Sequence, residues 1–335
     1  MEFRGPSVSG WMARAILLVL TLTLAGCRQG QDNFPVGMRH SENLPGSTPV
    51  LLVPTSVGDS ESSVTLALLG DIMLGRDIHP TDSTFAYLEP FLSSADLALA
   101  NLESPLTGAP VETRSPHVLC ASPGNVQFLA DAGFDLLSIS NNHNLDCGTK
   151  GLAETQSTLT EAGLGFIGPG SAPVYRSVHG IPLAFLAFDA TSAGFDIGKD
   201  VQAVRSARET GALVFVSIHW GMEYQSGASR EQKEIAQQLS DAGAALVWGH
   251  HPHVLQPSGW VGDGRTLVFY SLGNALFDQH GLESTNQSAL ILVTLHSDGV
   301  TEFKAIPFRI DAQNSRVVEA GDVDAQRIMN YFKGR

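Results

Sequence analysis

The chain is 335 residues long, 43% hydrophobic, and carries a formal net charge of -14 from 20 Lys and Arg against 34 Asp and Glu. That apolar share is enough for a full core and excludes a wholly disordered chain. The negative field excludes nucleic acid as a partner and requires bound cations before any polyanion could be held.

The first stretch reads as an export signal. Arg4 and Arg14 flank the start of an apolar run over 16–25, too short for the ~20 residues that span a bilayer. Leu24-Ala25-Gly26-Cys27 then sets small residues before a cysteine. This is the pattern of a lipoprotein signal peptide over 1–26, cleaved before Cys27 and acylated on its thiol; an ordinary signal peptide ending near a cysteine is the alternative. Firm attachment takes more than one acyl chain. Residues 27–63 scatter Pro35, Pro45, Pro49 and Pro54 among Gly, Ser, Asn and Asp, and read as a flexible tether. Its one apolar patch is Val50-Leu51-Leu52-Val53. Cys120 and Cys147 then remain, as a disulfide or as two buried thiols, and spacing decides neither.

Residues 64–335 suit one α/β domain. A unit recurs along it: a short apolar run, an abrupt polar cluster, a helical stretch. The runs at 64–69, 96–100, 135–139, 183–188, 212–218, 244–248 and 266–270 predict strands buried on both faces. Helices are predicted over 122–133, 150–161 and 229–241. Pro123 marks the start of the first, Gly133, Gly163 and Gly243 follow the ends, and Ser229 with Gln232 forms a capping box. Segments 289–296 and 301–310 around Ser297-Asp298-Gly299 predict an antiparallel hairpin. The expected fold is α/β with α+β sandwich character: buried mixed sheets in layers, flanked by helices.

The runs end in Gly70-Asp71, Asn101-Leu102-Glu103, Asn141-Asn142-His143, His219-Trp220-Gly221, His250-His251-Pro252-His253 and Ser271-Leu272-Gly273-Asn274. Carboxyl ends of strands face the edge where open α/β sheets bind ligands, so six distant segments converge on one site. Asp71, Glu103, Asn142, His219, His251 and His253 supply mixed oxygen and nitrogen donors without a thiolate. That set suits Mn, Fe or Zn over Mg or Ca. Taken singly, Gly70-Asp71 is an ordinary turn or cap, Asn141-Asn142 a tight turn, His219 a core histidine and Glu223 a solvated loop residue. Turns alone have no reason to supply Asp, Glu, Asn and His at successive strand ends.

These motifs, with Ile72-Met73, Asp146, Gly148 and Glu223 in their places, resemble the CapA family, proteins associated with poly-γ-glutamate capsule synthesis within the calcineurin-like metallophosphoesterase superfamily. The resemblance covers 64–278. It implies two divalent ions, with Asp71 and His253 on the first, Asn142, His219 and His251 on the second, and Glu103 bridging where the superfamily has Asp. His143 would be the catalytic acid. Met73 occupies the histidine position of the superfamily's Asp-x-His motif and leaves the first ion a ligand short. Asn141, Asp146, His250, Asn274 and Asp278 are expected around the ions or at the rim, and Glu223 to orient His219 or bind a substrate ammonium. Arg76 and Lys199 read as surface charges unless they meet a substrate anion.

The implied protein is a cell-surface hydrolase, lipid-anchored at the envelope, whose ions activate water against a phosphoester or an amide-linked anionic polymer. Its expected partners are that polymer, the membrane and a membrane synthase. The rival is a non-catalytic lipoprotein holding the polymer through bound cations beside the synthase; His143 next to Asn142 favours catalysis.

Overall fold

The computed structural model describes residues 62–333 apart from 114 and 170, so the signal, Cys27 and the tether up to residue 61 lie outside the described residues. In chain order the elements are β1 (Val64–Ile72), α1 (Glu89–Leu92), β2 (Leu97–Leu102), α2 (Val126–Ala132), β3 (Leu136–Ser138), α3 (Gly148–Glu161) and β4 (Gly165–Ile167). Then come β5 (Val174–Val178), β6 (Ile181–Asp189), α4 (Ile197–Glu209), β7 (Leu213–His219), α5 (Arg230–Ala242), β8 (Ala244–His250), β9 (Ser258–Val261) and β10 (Thr266–Phe269). The last are β11 (Asn274–Leu276), β12 (Gln287–His296), β13 (Gly299–Asp311), β14 (Arg316–Glu319) and α6 (Asp322–Met329).

Two mixed sheets result. The first runs β14-β13-β12-β1-β2-β3-β4 with β11 pairing to β1; the second runs β5-β6-β7-β8-β10-β9. β1 to β4 lie parallel, and β12, β13 and β14 continue the sheet antiparallel. In the second sheet β6, β7, β8 and β10 are parallel between antiparallel edges.

Alternation along each strand fixes the layers. Leu66 and Leu68 of β1 pack with Phe185, Phe215, Trp248 and Phe269 of the second sheet. Their neighbours Ala67 and Leu69 turn to the other face, with Leu129 of α2 and Leu159 of α3. Val214, Val216 and Ile218 of β7 pack on Val204 of α4 and Ile235 and Leu239 of α5. The order is helices, sheet, sheet, helices, which buries the central parallel strands on both faces. α5 begins at the expected capping box, Ser229 accepting from Gln232 N–H at 3.1 Å while Gln232 Oε1 accepts from Ser229 N–H at 2.9 Å. It ends at Gly243, whose φ of 103° suits glycine.

The predicted strands, helices and hairpin are present, with ends displaced by a few residues. α1, β4, β5, β9, β11, β14, α4 and α6 are additions to the sequence reading. β4 and β11 have three residues each, and α4 buries only Val204 and Ala207, so none carries a strong apolar pattern.

Cys120 and Cys147 form a disulfide, with Cα atoms 6.4 Å apart. Cys147 is the N-cap residue of α3 and closes the turn that carries His143 and Asp146. Leu119, beside Cys120, donates its N–H to Asp146 Oδ2 at 2.9 Å. Closing a 27-residue separation removes unfolded-state entropy worth about 3.5 kcal/mol. Replacing both cysteines by Ser should lower the urea-unfolding free energy by about 3 to 4 kcal/mol. A loss under about 1 kcal/mol would show that the bridge does not constrain the unfolded chain as this loop-entropy argument requires.

Candidate metal centre

Both sheets offer the carboxyl ends of their parallel strands to one edge. Asp71 of β1 stands level with Asn101 of β2, which stands level with Ser138 of β3. Asp189, His219 and His250 stand abreast on β6, β7 and β8. The sheets are joined there by His251 N–H donating to Asp71 Oδ2 at 3.2 Å, and Asp71 N–H bonds Gly273 O at 2.9 Å. A Cβ on Gly70 would strike Gly273 O, so glycine permits this closeness; within the second sheet, a Cβ on Gly249 would strike Tyr270 O. Gly70-Asp71 is therefore part of β1, neither turn nor helix cap.

Asp71 and Glu103 are both fully buried, but their surroundings differ. Asp71 Oδ1 accepts from Asn101 Nδ2 at 2.8 Å and lies 3.2 Å from His250 Nδ1. Burial alone would raise the Asp71 carboxyl; His250 and His253 overcome this and hold it well below the usual range. Asn141 Nδ2 donates to Leu102 O at 2.9 Å and Asn101 Oδ1 at 3.2 Å, so it braces the network. Neither Glu103 oxygen has a hydrogen-bond donor among the described residues. Burial pushes its pKa well up, opposed by His253 and reinforced by Asp71 and Glu223.

Imidazoles and an amide surround that orphaned carboxylate. Glu103 Oε1 lies 3.7 Å from His219 Nε2 and 3.8 Å from His253 Nε2. His219 Nε2 is 2.8 Å from Asn142 Oδ1 and 3.1 Å from His251 Nδ1. Two donors each ~2.1 Å from one tetrahedral ion stand about 3.4 Å apart, so these spacings fit an ion's shell. Burial, then the charge of neighbouring histidines, lowers His219 well below its ordinary value and His251 to about 4. Both rings are thus neutral, the form that binds metal.

The tautomer of His253 follows from its partner. Asn274 Nδ2 donates to Gln279 Oε1 and Thr285 O, both at 3.0 Å, so its Oδ1 must accept. That oxygen lies 2.9 Å from His253 Nδ1, which therefore carries a proton and leaves Nε2 toward Glu103. Burial would lower His253, but Glu103, Asp71 and the Asn274 bond raise it to about 9.

Asp71, Glu103 and His253 form one group whose donor atoms lie within 4.8 Å of one another; Glu223, His251 and His253 form a second. These groups could hold metal ions, and the fit rests on Glu103, since two buried carboxylate oxygens without a donor are what a cation would satisfy. Met73 is packed in the core beside Leu69 and Ile72, and its Sδ accepts Gly75 N–H at 3.1 Å.

His143 stands beside Asn142 with Nδ1 2.9 Å from Asp146 Oδ2 and Nε2 3.9 Å from Glu103 Oε1. It opens on a cleft of about 350 Å³ lined also by Arg76, Asn142, Glu223, Tyr224, His253 and Phe277. Arg76, read from sequence as surface charge, lies in this cleft. It pairs with Asp278 through Nε at 3.0 Å and through Nη2, and its guanidinium sits 5.5 Å from the Phe277 ring centre. Lys199 instead pairs with Asp196 at 3.5 Å and lines another hollow with Asp189 and Asp200. A larger hollow of about 450 Å³ near Arg208 and Arg265 has no comparable donor set, so chemistry and not volume marks the site. The Asn101 bond to Asp71 and the cleft positions of Tyr224 and Phe277 had no signal in the sequence. Backbone strain had none either: Arg76, Tyr224, His251 and His253 are four of the seven described non-glycine residues at positive φ, a clustering typical of functional sites.

The model of the family described as bacterial capsule synthesis protein PGA_cap matches residues 65–279. The chain is 32% identical over 280 residues to the PGA biosynthesis protein CapA of Bacillus subtilis (strain 168), covering 75% of this chain and 73% of that protein. It is also 32% identical over 301 residues to the capsule biosynthesis protein CapA of Bacillus anthracis, covering 79% and 72%. Among solved structures it resembles a novel phosphatase from Mycoplasma pneumoniae, with a TM-score of 0.51, 12% identity, and coverage of 81% of this chain and 99% of that one. At that identity the likeness shows the fold alone, a mixed α/β arrangement.

The ion-free protein has a testable pH signature. His253 has a folded pKa of about 9, above the ~6.5 of an unfolded histidine. Its contribution is therefore fully present below pH ~6.5 and disappears as pH rises through about 9. After chelation, the unfolding free energy should fall by on the order of 3 kcal/mol across that window. His253→Gln should remove the fall, and an unchanged slope in that variant would refute the assignment.

Proposed function

We propose that this chain, which belongs to the PGA_cap family of bacterial capsule synthesis proteins, is a metal-dependent hydrolase of the cell envelope that acts in making, exporting or attaching an anionic polymer such as poly-γ-glutamate. The observation that carries this reading is the His143–Asp146 pair, whose Nε2 lies 3.9 Å from buried Glu103 on the cleft side of Asn142. A module that only bound cations would need the carboxylates and imidazoles, but not a hydrogen-bonded imidazole and carboxylate at their edge.

Asp71, Glu103, Asn142, His219, His251 and His253 would hold two divalent ions, with Mn, Fe or Zn favoured by donor type. Such ions supply Lewis acidity, lowering the pKa of a water and offsetting charge that develops on a phosphoryl or acyl group. With its Nδ1–H committed to Asp146, His143 in its imidazolium form would deliver the Nε2 proton to the leaving atom and be left as the neutral ring. Asp146 is itself fixed by Leu119 N–H, so the ring is held before substrate arrives. Arg76 Nη1 has no partner among the described residues, and the cleft it lines is otherwise furnished with imidazoles and the one carboxylate of Glu223. It would receive a substrate phosphate or carboxylate.

Export and lipid attachment at Cys27 belong to the same proposal. The Cys120–Cys147 bridge supports an oxidising compartment. No helix among the described residues is long and apolar enough to cross a membrane. The names of the Bacillus relatives, PGA biosynthesis and capsule biosynthesis, support a glutamate polymer as substrate.

The test pairs elemental mass spectrometry of chelator-free protein with turnover of bis-p-nitrophenyl phosphate, p-nitrophenyl phosphate and a γ-linked glutamate oligomer in added Mn. About two equivalents of metal and turnover of at least one substrate are expected. His143→Ala should keep the metal and lose about 10²- to 10⁴-fold in kcat; full activity in that variant would remove His143 from the mechanism. A wild type that binds metal but cleaves none of the three would favour the non-catalytic polymer binder. Arg76→Gln should raise KM about 10-fold with kcat nearly unchanged, whereas an unchanged KM would return Arg76 to the surface charges.

A further inference from the structure

Within the reading of this edge as a two-ion site, the first ion is one donor short. β1 contributes Asp71, while Met73, two residues on, is buried in the core with its Sδ accepting the Gly75 N–H. The donors left are Asp71, Glu103 and His253, against the four that a closed tetrahedral shell requires. His253 also belongs to a second convergent group, with Glu223 and His251. His253 has a single nitrogen lone pair to give, because its Nδ1 proton is committed to Asn274. His251 has Nδ1 turned to His219 Nε2 at 3.1 Å, among the donors of the other ion. Glu223 is the member of this second group with no assigned role.

We propose that Glu223 is a metal ligand, completing the shell of the ion held by His253 in the place that Met73 vacates. Its loop is built to deliver it. Tyr224 N–H donates to Pro252 O at 2.8 Å, which ties the segment after β7 to the His251-Pro252-His253 turn. The chain reaches that point through Gly221, whose φ of 85° suits glycine and where a Cβ would crowd the Gln232 side chain at the capped start of α5. Tyr224 holds a left-handed φ of 62° next to Glu223, and its hydroxyl accepts from Gln279 Nε2 at 3.3 Å. Glu223 lines the cleft and is exposed, so it can swing onto an ion without disturbing the core. Charge favours the same outcome. Asp71, Glu103 and Glu223 face one region whose fixed cation, Arg76, is already matched by Asp278, and a third carboxylate there is stabilised by a cation. The loop thus supplies from the second sheet a ligand that the first sheet lacks.

The experiment uses the full chain, stripped of metal and titrated with Mn alone by calorimetry. Elemental analysis after dialysis gives the stoichiometry, and Co substitution gives an absorption spectrum that reports coordination. Because Glu223 is exposed, Glu223→Gln should melt like wild type when ion-free. It should lose one of two Mn equivalents, or bind one of them at least about 10-fold more weakly, with a changed Co spectrum. Glu223→His, which restores an imidazole, should recover the second equivalent. If Glu223→Gln binds both ions within twofold of wild type and leaves the Co spectrum unchanged, Glu223 is not a ligand, while the two-ion reading survives. If wild type itself binds no Mn or Co, the two-ion reading fails and this assignment falls with it.

Discussion

Two carboxylates, Asp71 and Glu103, are sealed from water at the edge where two sheets meet, and the rest of the site is arranged around that fact. An ionised carboxylate loses several kcal/mol of hydration on burial unless hydrogen bonds or opposite charges replace the water. Asp71 has them: the Asn101 amide, the His251 backbone N–H, and the rings of His250 and His253. Glu103 has imidazoles and an amide oxygen nearby but no donor bonded to it. A buried acid in that condition holds a proton or a cation. The neutral state of His219 and His251, which puts no fixed positive charge beside it, suits the cation.

Neither sheet could build this alone. The first contributes the oxygens of Asp71, Glu103 and Asn142, and the second contributes the imidazoles of His219, His251 and His253. Their spacing depends on how closely the strand ends pack, which Gly70 permits against Gly273 and Gly249 permits against Tyr270 by lacking a Cβ. Trp220 braces the helix-covered side of the second sheet, fully buried with Nε1 bonded to Tyr270 O at 2.8 Å. A methyl group at either glycine would therefore act on the site by separating donors that never touch it.

Much of the architecture is legible in sequence, for a physical reason. Parallel strands buried on both faces must be apolar throughout, so β1, β2, β7, β8 and β10 appear as plain runs, and α5 announces itself by its capping box and Gly243. β4 and β11 are short and take their identity from pairing partners, while α4 lacks a broad apolar face because it touches the core through Val204 and Ala207. The convergence of Asp71, Glu103, Asn142, His219, His251 and His253 is legible because strand ends share an edge. Arg76 in the cleft is not, since its placement there comes from a left-handed backbone and an ion pair with Asp278, 202 residues away. Nor is the reach of Glu223, which is set by a tertiary bond between Tyr224 and Pro252.

The charge balance also constrains what the cleft can hold. With a net charge of -14 the chain repels an anionic polymer at long range, although physiological salt confines that repulsion to about 8 Å. Attraction must therefore be local. Arg76 is the permanent cation among the residues lining the cleft, and Asp278 neutralises most of its field. Histidines cannot supply the difference, because His219 and His251 are held neutral and the charge of His253 is matched by Glu103 and Asp71. Two divalent ions would reverse the sign of the edge and leave the surrounding surface negative. An anionic chain would then be held at the ions and released along the rest of the surface, as an enzyme working on successive positions of a polymer requires. The donors that would fix the ions and the residues that would receive the polymer thus form one electrostatic unit, in which loss of cation would remove affinity and chemistry together.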